Sequence, residues 1–551
     1  MIPLRYGRHA LLVECEDLDE VAALHAELAR RRRAGTLPPV HDLVPAERTV
    51  LIDGLDDPAA LAAQLVTWTP TPVEAARGPA IHLAVHYDGP DLDEVAEAWG
   101  VPRDQVAAIH SAHEYRVAFC GFAPGFAYLT GLPERYHLPR RRTPRPSVPP
   151  GFVAVAGPYT GVYPSASPGG WNLIGATDAE LWDLRRDEPA LLVPGGTVRF
   201  VPASGRPAAS PSGGPVCREP ARVRDAARER DPAREPYPES EAGPAAGPAA
   251  GPAVEILRAG ALTTVQDLGR PGYAHLGVPR SGALDLAAHR LANRLVGNEP
   301  EAATLETTVS GLTLRALAPT LVAVCGAVAP IRLDGRPAPW CAPIALRPGQ
   351  TLDVGAAARG VRSYVAFAGG VAVESVLGSR STDLLAGLGA RPSQTGRNGL
   401  RDGDLLPLGA PTGPPRPADT HPVTAPAAPG SVLELPVLPG PRPASFPAAA
   451  WRVLTGGEYV VSAASNRIAL RLDGPALERG GPDTIPSEGA VLGAIQVPAD
   501  GRPIVFLADH PPTGGYPVIG VVPAAALGPA AQAPPGARLR FRATGHRGVP
   551  G

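Results

Sequence analysis

Three segments of the chain combine glycine with side chains that could bind or activate a small molecule. The first, at residues 119–133, interleaves glycines with Phe122, Pro124, Phe126 and Tyr128. Glycine lets backbone amides approach a ligand, and aromatic rings provide flat apolar walls. Pockets and tight turns both use this composition, so the segment predicts either a ligand pocket or a hairpin whose rings fill the end of a barrel.

The second segment, residues 264–285, carries polar and charged groups on a glycine-punctuated loop. These groups belong to Gln266, Asp267, Arg270, His275, Arg280, Ser281 and Asp285. They could orient a lactam or a phosphate, since arginine offers paired donors to an anion. The alternative is a set of turn-capping side chains, with Asp285 as the N-cap of a helix through residues 287–295. The residue types leave both interpretations open.

The third segment lies near the end of the chain, in IPSEG at 485–489 and LADHPPTGGYP at 507–517. Glu488 or His510 could act as a general acid or base. Consecutive backbone amides around Gly514 could form a concave binding site for an anion.

The composition excludes several kinds of chemistry. A formal net charge of −2 does not favour a nucleic-acid or membrane-binding surface. The sequence contains no lysine, so its 51 basic residues are all arginine. A Schiff base, a Walker-type phosphate lysine and covalently attached biotin are therefore excluded on this chain. Five cysteines without a C-x-x-C pair suggest neither a disulfide framework nor a zinc knuckle, and we predict no metal site.

We expect a cytoplasmic protein. The first residues lack a signal-peptide layout, and the most apolar stretch, at 321–331, is much shorter than the roughly 20 residues of a spanning helix.

The elements that position the three segments are predicted to be mainly β. Short apolar runs bounded by Gly or Pro follow one another from residue 115 onward, which is typical of barrels or sandwiches. The first 90 residues alternate strand and helix patterns, with Asp17 or Asp19 and Asp57 as helix N-caps and a further strand at 81–87. A short internal repeat, GGWNLIG at 169–175 and GGYPVIG at 514–520, suggests related barrels.

Residues 203–252 are rich in Ala, Pro and Gly and predict a disordered linker. The predicted domains are a small α+β domain at 1–88, a β-barrel at 89–202, the linker at 203–252, a β-rich region at 253–409, a Pro/Ala-rich loop at 410–430 and a second β-rich region at 431–551.

These motifs resemble one enzyme family along both halves. Residues 1–202, the B half, resemble the B subunit of 5-oxoprolinase, also called allophanate hydrolase subunit 1 and related to a sporulation-kinase inhibitor, through GFAPGFAYL (121–129), TPRPSVPPG (143–151) and GVYPSASPGGWNLIG (161–175). Residues 253–551, the C half, resemble the C subunit of the same enzyme. They also resemble the carboxyltransferase region of urea carboxylase and urea amidolyase, through VQDLGRPGY (265–273), GVPRSGALD (277–285), LGSRST (377–382) and TGGYP (513–517).

The resemblance implies tandem cyclophilin-like β-barrel regions that meet at a shared cleft, plus the small N-terminal α+β domain. It also implies hydrolysis of a cyclic amide, 5-oxo-L-proline, to L-glutamate, with ATP and Mg²⁺ used in the reaction. The separate A subunit of 5-oxoprolinase is the implied protein partner. Assembly into a homo-oligomer is left open.

Residue chemistry and resemblance together predict the site. The predicted catalytic residues are Asp267, Arg270, Asp285, Glu488 and His510. The predicted substrate-binding residues are Phe122, Pro124, Gly125, Phe126, Tyr128, Arg145, Pro168, Gly169, Gly170, Trp171, Gln266, Ser281, Arg380, Ser381, Thr513, Gly514, Gly515 and Tyr516.

The chain departs from the family pattern at five positions, which leaves the substrate range open: Tyr159, Ala176, Gly196, Pro511 and Pro512. Two alternative functions are compatible with the motifs. One is a biotin-dependent carboxyltransferase acting on urea or a related amide, with biotin on a separate carrier. The other is a regulator that inhibits a histidine kinase.

Overall fold

The computed structural model describes the chain except for residues 72–79, 142, 204–251, 390–398, 417–425, 427, 429, 482–484 and 545–551. The predicted linker at 203–252 falls almost entirely outside the described residues, as does the middle of the Pro/Ala-rich loop at 410–430. Both therefore stay predictions.

The N-terminal unit consists of four antiparallel strands and two helices. Its elements are β1 (Ile2–Tyr6), β2 (Ala10–Glu14), α1 (Leu18–Arg33), β3 (Asp42–Pro45), β4 (Thr49–Asp53) and α2 (Pro58–Leu65). The strands lie in the order β1-β2-β4-β3. Asp17 caps α1 by accepting a hydrogen bond from the Glu20 amide at 2.8 Å, and Asp57 caps α2 in the same way, as their spacing predicts.

A seven-stranded sheet and a two-stranded ribbon complete the B half. The elements are β5 (Ile81–Val85), α3 (Leu92–Trp99), α4 (Arg103–Ser111), β6 (Glu114–Cys120), β7 (Ala127–Thr130), β8 (Arg145–Val148), β9 (Phe152–Ala156), β10 (Tyr159–Val162), β11 (Ser167–Gly169), β12 (Asn172–Ala176) and β13 (Thr197–Pro202). The sheet order is β12-β9-β10-β7-β6-β13-β5, and β8 pairs with β11.

The prediction that placed residues 81–87 in the N-terminal unit is wrong. Strand β5 pairs in parallel with β13 at the edge of the seven-stranded sheet. Its inward residues Leu83 and Val85 are buried beside Val198 and Phe200. Alternation along a strand shows which of its faces is buried, but not which sheet receives it.

The C half begins with two facing sheets. The elements are β14 (Pro252–Arg258), β15 (Thr263–Gln266), α5 (Leu286–Leu295), β16 (Thr304–Thr308), β17 (Leu312–Ala316), β18 (Thr320–Val328), β19 (Ile331–Leu333), β20 (Arg336–Ala338), β21 (Ile344–Leu346), β22 (Thr351–Val354), β23 (Arg359–Phe367) and β24 (Leu405–Pro407). The sheet orders are β20-β19-β22-β17-β14-β24 and β15-β16-β23-β18-β21. Buried side chains from both sheets form one core.

A closed barrel follows. The elements are β25 (Val432–Pro439), α6 (Ala448–Gly456), β26 (Tyr459–Val461), β27 (Ala469–Asp473), β28 (Glu488–Gly489), β29 (Ala494–Gln496), β30 (Ile504–Phe506), β31 (Thr513–Gly514), β32 (Val518–Val521), α7 (Leu527–Ala531) and β33 (Arg538–Ala543). The barrel closes in the order β25-β32-β29-β30-β27-β26-β33, while β28 and β31 form a separate ribbon. The predicted mainly β fold with α+β additions is confirmed.

The repeated Gly-Gly-aromatic-x-x-Ile-Gly sequence has the same setting in both halves. Gly169 lies opposite Arg145 in the β8–β11 ribbon, and Gly514 lies opposite Glu488 in the β28–β31 ribbon. A longer strand, β12 or β32, follows each ribbon. Arg145 and Glu488 thus occupy equivalent positions and carry opposite charges.

The N-terminal sheet also packs against the C-terminal barrel. Leu12 and Leu51 of the sheet share a buried apolar cluster with Phe506 and Val521 of the barrel. Burying one such side chain stabilises a structure by roughly 1.5–3 kcal/mol, so the two halves are held together by contacts beyond the linker.

Candidate functional site

The loop at residues 121–126, between β6 and β7, carries contacts to the C half. The amide of Phe122 donates to the hydroxyl oxygen of Thr513 at 3.1 Å, and the amide of Gly125 donates to the carbonyl of Leu276 at 2.9 Å. The glycine-rich loop and the segment at 264–285 are therefore in direct contact. We call the region formed by residues 121–126, Glu47, Ser487–Glu488 and Thr513–Gly514 the inter-half joint.

Most aromatic rings of the first segment form packed core. Phe126, Tyr128 and Trp171 are at most 6% exposed. Phe126 meets Trp171 edge to face at 5.4 Å, and Phe119 stacks on Tyr128 at 4.3 Å. Of the two interpretations of this segment, the structure supports the hairpin whose rings fill a barrel end. Pro124 is also buried, whereas the ring of Phe122 is only partly buried.

Glu488 lies in the inter-half joint and is 8% exposed. Its carboxylate accepts a hydrogen bond from the Nε of Arg442, whose Nη1 donates to Glu14 of β2 at 2.6 Å. Burial raises the pKa of Glu488, and the nearby Arg442 guanidinium offsets part of that rise. A buried carboxyl group whose pKa is raised toward neutrality is suited to proton transfer.

Glu47, in the turn between β3 and β4, reaches the same joint. Its amide donates to the Ser487 carbonyl at 3.1 Å, and the Ser487 amide donates to the Glu47 carboxylate at 3.2 Å. Burial, together with the charge of Glu47, raises the pKa of the Tyr159 hydroxyl. Tyr159, one of the departures from the family pattern, is thus connected to the joint.

His510 packs beside the joint in a neutral form. Its ring stacks on Phe506 at 5.2 Å, and its Nδ1 lies 2.8 Å from the Pro511 carbonyl. Because a carbonyl only accepts, Nδ1 carries the proton and Nε2 keeps its lone pair. Burial lowers the pKa of His510 to about 4, so its ring is neutral at neutral pH. Tyr516 follows the Thr513–Gly515 turn and is 39% exposed.

Asp267 anchors a loop within the C half. Its carboxylate accepts from the hydroxyls of Ser379 and Ser381 and from the amide of Arg380, each at 2.6 Å. The Arg380 guanidinium donates to the Val373 carbonyl at 2.9 Å. These contacts match the turn-capping interpretation of Asp267 and place Arg380 and Ser381 in the same loop.

Ser281 and Arg270 belong to a buried polar cluster. The Ser281 hydroxyl donates to Asp509 at 2.6 Å, and Arg270, 1% exposed, donates to the carbonyls of Val376 and Ser381. Arg270, predicted to be catalytic, is therefore buried and bonded to backbone carbonyls of the loop at 376–381.

Asp285 and Gln266 also have structural partners. One Asp285 oxygen accepts from the Ala288 amide at 3.1 Å and so caps α5, while the other accepts from Gln532 at 2.9 Å. Gln266 is fully buried and donates to the Thr382 carbonyl at 2.9 Å. For Asp285 the structure shows the N-cap that the sequence offered as an alternative to catalysis.

The residues predicted on the β8–β11 ribbon contact their own half. Arg145 forms a two-pronged ion pair with Asp91 at 2.9 and 2.6 Å. A Cβ at Gly169 would lie 2.2 Å from the Tyr163 hydroxyl, and the Gly170 carbonyl accepts from the amide of Arg141. Pro168 is exposed. The structure does not bring Arg145 to the inter-half joint.

Comparison with known proteins follows the same division of the chain. The family model of carboxyltransferase domain subdomains C and D matches residues 3–192, and that of subdomains A and B matches residues 276–543. The chain is 41% identical over 204 residues to the B subunit of 5-oxoprolinase from Escherichia coli O157:H7, covering 36% of this chain and 93% of that protein. It is 37% identical over 291 residues to the C subunit of 5-oxoprolinase from Escherichia coli (strain K12), covering 52% of this chain and 90% of that protein.

The chain belongs to the family of 5-oxoprolinase B and C subunits. It joins a homologue of each in one polypeptide. The crystal structure of TTHA0988 shows a similar fold, with 34% identity, a TM-score of 0.78 and coverage of 97% of this chain and 99% of that one. The C half is also similar to the urea amidolyase of Lachancea kluyveri, with 34% identity over 314 residues, 52% of this chain and 17% of that enzyme.

Sequence reasoning missed Glu47 of the joint, and it missed Glu14 and Arg442, which are linked to Glu488 of the joint. Glu14 and Glu47 lie in or beside ordinary short strands, and Arg442 precedes a short 3-10 turn at Pro443–Ser445. Their spacing carries no chemical signal. In the described part of the fusion, no helix is long and apolar enough to cross a membrane.

Proposed function

We propose that the chain is the B–C component of an ATP-dependent 5-oxoprolinase, which opens 5-oxo-L-proline to L-glutamate together with a separate A subunit. The observation that carries the proposal is the inter-half joint, where the Phe122 amide of the B half bonds to Thr513 of the C half. The halves that are homologous to the two 5-oxoprolinase subunits thus contact each other at this joint.

The chemistry explains the use of ATP. An amide carbonyl is a poor electrophile, so transfer of the γ-phosphoryl group from Mg²⁺-bound ATP to the lactam oxygen, with ADP leaving, activates the ring carbon. Water then adds to that carbon and the C–N bond breaks, with the nitrogen taking a proton. A second water hydrolyses the remaining acyl phosphate to L-glutamate and phosphate. Because the chain lacks lysine, the phosphate groups that it binds are met by arginine, hydroxyl groups or backbone amides.

Glu488 is the residue to which we assign proton transfer in this reaction. It is buried in the joint, its pKa is raised, and Arg442 fixes its carboxylate. The neighbouring Thr513, on the strand paired with β28, supplies a hydroxyl for orienting the lactam. Arg442 acts as a positioning residue, because it contacts Glu488 and Glu14 at once.

The test is reconstitution. The purified chain with Mg²⁺, ATP and 5-oxoproline should release little glutamate until the A subunit is added, with glutamate and ADP measured in the same samples. Full turnover by the chain alone would contradict the division of labour, and no turnover by the reconstituted mixture would contradict the proposal.

A second candidate is the transfer of a carboxyl group to urea or a related amide. Both matching family models describe carboxyltransferase subdomains, which favours this candidate. Since biotin cannot be attached here, the assay needs a carboxybiotinylated carrier protein. Carboxylation of urea, together with no glutamate from 5-oxoproline in the reconstituted mixture, would support it over the lactam reaction.

A further inference from the structure

A cavity of about 380 Å³ lies in the B half, between helix α3 and the segment that leads to β8. None of its lining residues belongs to the inter-half joint. The apolar part of its lining consists of Val95, Ala98, Leu138 and Pro139. The polar part consists of Glu94, Arg140, Arg141, Thr143 and Asn172.

The polar part of the lining has an excess of positive charge. Arg141 and Arg145 both pair with Asp91, which is 1% exposed, and Arg141 also bonds to Glu94 at 2.7 Å. The Arg141 Nε is buried without a hydrogen-bond partner. Arg140 is exposed and, among the described residues, forms no hydrogen bond or ion pair. Within the described part of this region, the two carboxylates of Asp91 and Glu94 lie near three guanidinium groups, those of Arg140, Arg141 and Arg145.

Arg140 also connects the cavity with the aromatic core beneath the glycine-rich loop. Burial raises the pKa of Tyr128 to about 12, and the charge of Arg140 offsets part of that rise. The same charge acts on Tyr159, whose pKa is also affected by the charge of Glu47 in the inter-half joint. A ligand held by Arg140 would thus lie close to the residues that support the joint.

We propose that this cavity binds a nucleoside polyphosphate. Arg140, Arg141 and the Thr143 hydroxyl contact the phosphate groups, for which guanidinium groups are suited as paired donors. The Glu94 carboxylate accepts from a ribose hydroxyl, a contact that acidic residues make in dinucleotide sites. The apolar part of the lining covers one face of the base. The volume falls within the range of about 300–1,000 Å³ that is typical of small-molecule sites.

The proposal deepens the proposed function, since it rests on the use of ATP, but it can be tested without catalysis. ATP, adenosine and inorganic tripolyphosphate are titrated separately into the full chain by calorimetry. Arg140→Gln should weaken ATP and tripolyphosphate about tenfold or more and leave adenosine unchanged, because only a phosphate contact is lost. Among the residues that the structure describes, Arg140 has no hydrogen-bond or ion-pair partner that the substitution would remove.

Arg135→Gln is the matched control. Its guanidinium is also in the B half but lies over the Tyr136 ring, 4.8 Å from the ring centre and outside the cavity. This variant should bind ATP like the native chain. Equal ATP affinity of the Arg140→Gln variant and the native chain, or no ATP binding by the native chain, overturns the proposal.

Glu94→Ala tests the placement of the ribose. Its removal frees Arg141 and changes phosphate affinity for ATP and 2′-deoxy-ATP alike, so the informative quantity is the ratio of the two affinities. The native chain should prefer ATP, and the ratio should fall to about one in the variant. An unchanged ratio overturns the assignment of Glu94 to the ribose.

The failures of the site and of the proposed function are distinguishable. If Arg140→Gln weakens ATP binding but the native chain forms no glutamate in the reconstituted mixture, the site stands and the proposed function fails. If glutamate is formed and Arg140→Gln changes neither ATP affinity nor rate, the proposed function stands and the site fails.

Discussion

The backbone amide of Phe122 donates a 3.1 Å hydrogen bond to the hydroxyl of Thr513, 391 residues later in the chain. Phe122 has a φ of 67°, so this contact comes from a left-handed turn that most non-glycine residues avoid. Contacts of this kind set how the two halves fit together.

Substituting Gly121 should weaken this fit. A Cβ at Gly121 would lie 2.3 Å from the Thr513 hydroxyl oxygen and 3.2 Å from its Cβ. Gly121→Ala should therefore lower the free energy of unfolding by about 1–3 kcal/mol. In a Thr513→Ala background the same substitution should cost less by at least about 0.5 kcal/mol, because the clashing atoms are gone. Urea unfolding of all four proteins measures the coupling.

The control for this double-mutant cycle of Gly121→Ala and Thr513→Ala is Gly456→Ala at the end of α6. No atom lies within 4 Å of a Cβ added there, so it should leave stability unchanged or slightly increased. Strictly additive effects of Gly121→Ala and Thr513→Ala would contradict the predicted clash.

Substitution of Arg467 should lower the stability of the C half more than substitution of an exposed charged residue. It is 1% exposed and donates to the buried carboxylates of Glu306 and Asp509. Arg467→Met leaves Asp509 without this cation and leaves Glu306 with the Arg362 guanidinium at 3.5 Å, which should cost about 3–5 kcal/mol in thermal or urea unfolding. Arg502→Gln, which breaks an exposed pair with Asp473, should cost no more than about 1 kcal/mol. Similar losses of unfolding free energy in Arg467→Met and Arg502→Gln would contradict the predicted difference between the buried and the exposed ion pair.

Stability should fall as the pH rises from about 4 to about 6, in part because of Asp53. Burial, with the charge of its cross-strand neighbour Asp42, raises the pKa of Asp53 to about 6. The folded state then holds a proton that the unfolded state has released, so the folded state loses relative stability across this interval. Asp53→Asn should become more stable than the native chain between pH 4 and 6 and keep a constant advantage above pH 6.

Unfolding curves of the native chain, Asp53→Asn and the exposed control Asp56→Asn at several pH values test this prediction. A constant difference between the native chain and Asp53→Asn over the whole range would show that Asp53 is not responsible.

Glu488→Gln should lower glutamate formation in the reconstituted mixture by about 10²–10⁴-fold, the usual contribution of a general acid or base. The raised pKa of Glu488 also predicts that the acid limb of the kcat/KM profile lies above the ordinary range of a glutamate. The exposed Glu478→Gln is the control and should leave the rate unchanged. A Glu488→Gln variant with native rate and pH profile would remove Glu488 from the mechanism.

Local sequence was sufficient for much of the fold. The caps at Asp17, Asp57 and Asp285 are visible in the sequence, because an N-cap bonds to amides two or three residues away. The family motifs identified the relatives, and the repeated Gly-Gly-aromatic-x-x-Ile-Gly sequence lies at two equivalent ribbons. In each case the deciding contacts lie within a short stretch or in a repeated pattern.

Only the tertiary structure decided which of these groups meet. Glu488, Arg442 and Glu14 form one ion-pair chain although Glu14 and Arg442 are 428 residues apart, and β5 pairs with β13 instead of the N-terminal sheet. The carboxylate of Asp267, which was predicted to be catalytic, is instead occupied by hydrogen bonds from Ser379 and Arg380, 112 and 113 residues later in the chain. Charge and periodicity define what a side chain can bind, whereas the packing of both halves determines which partner lies within hydrogen-bond distance.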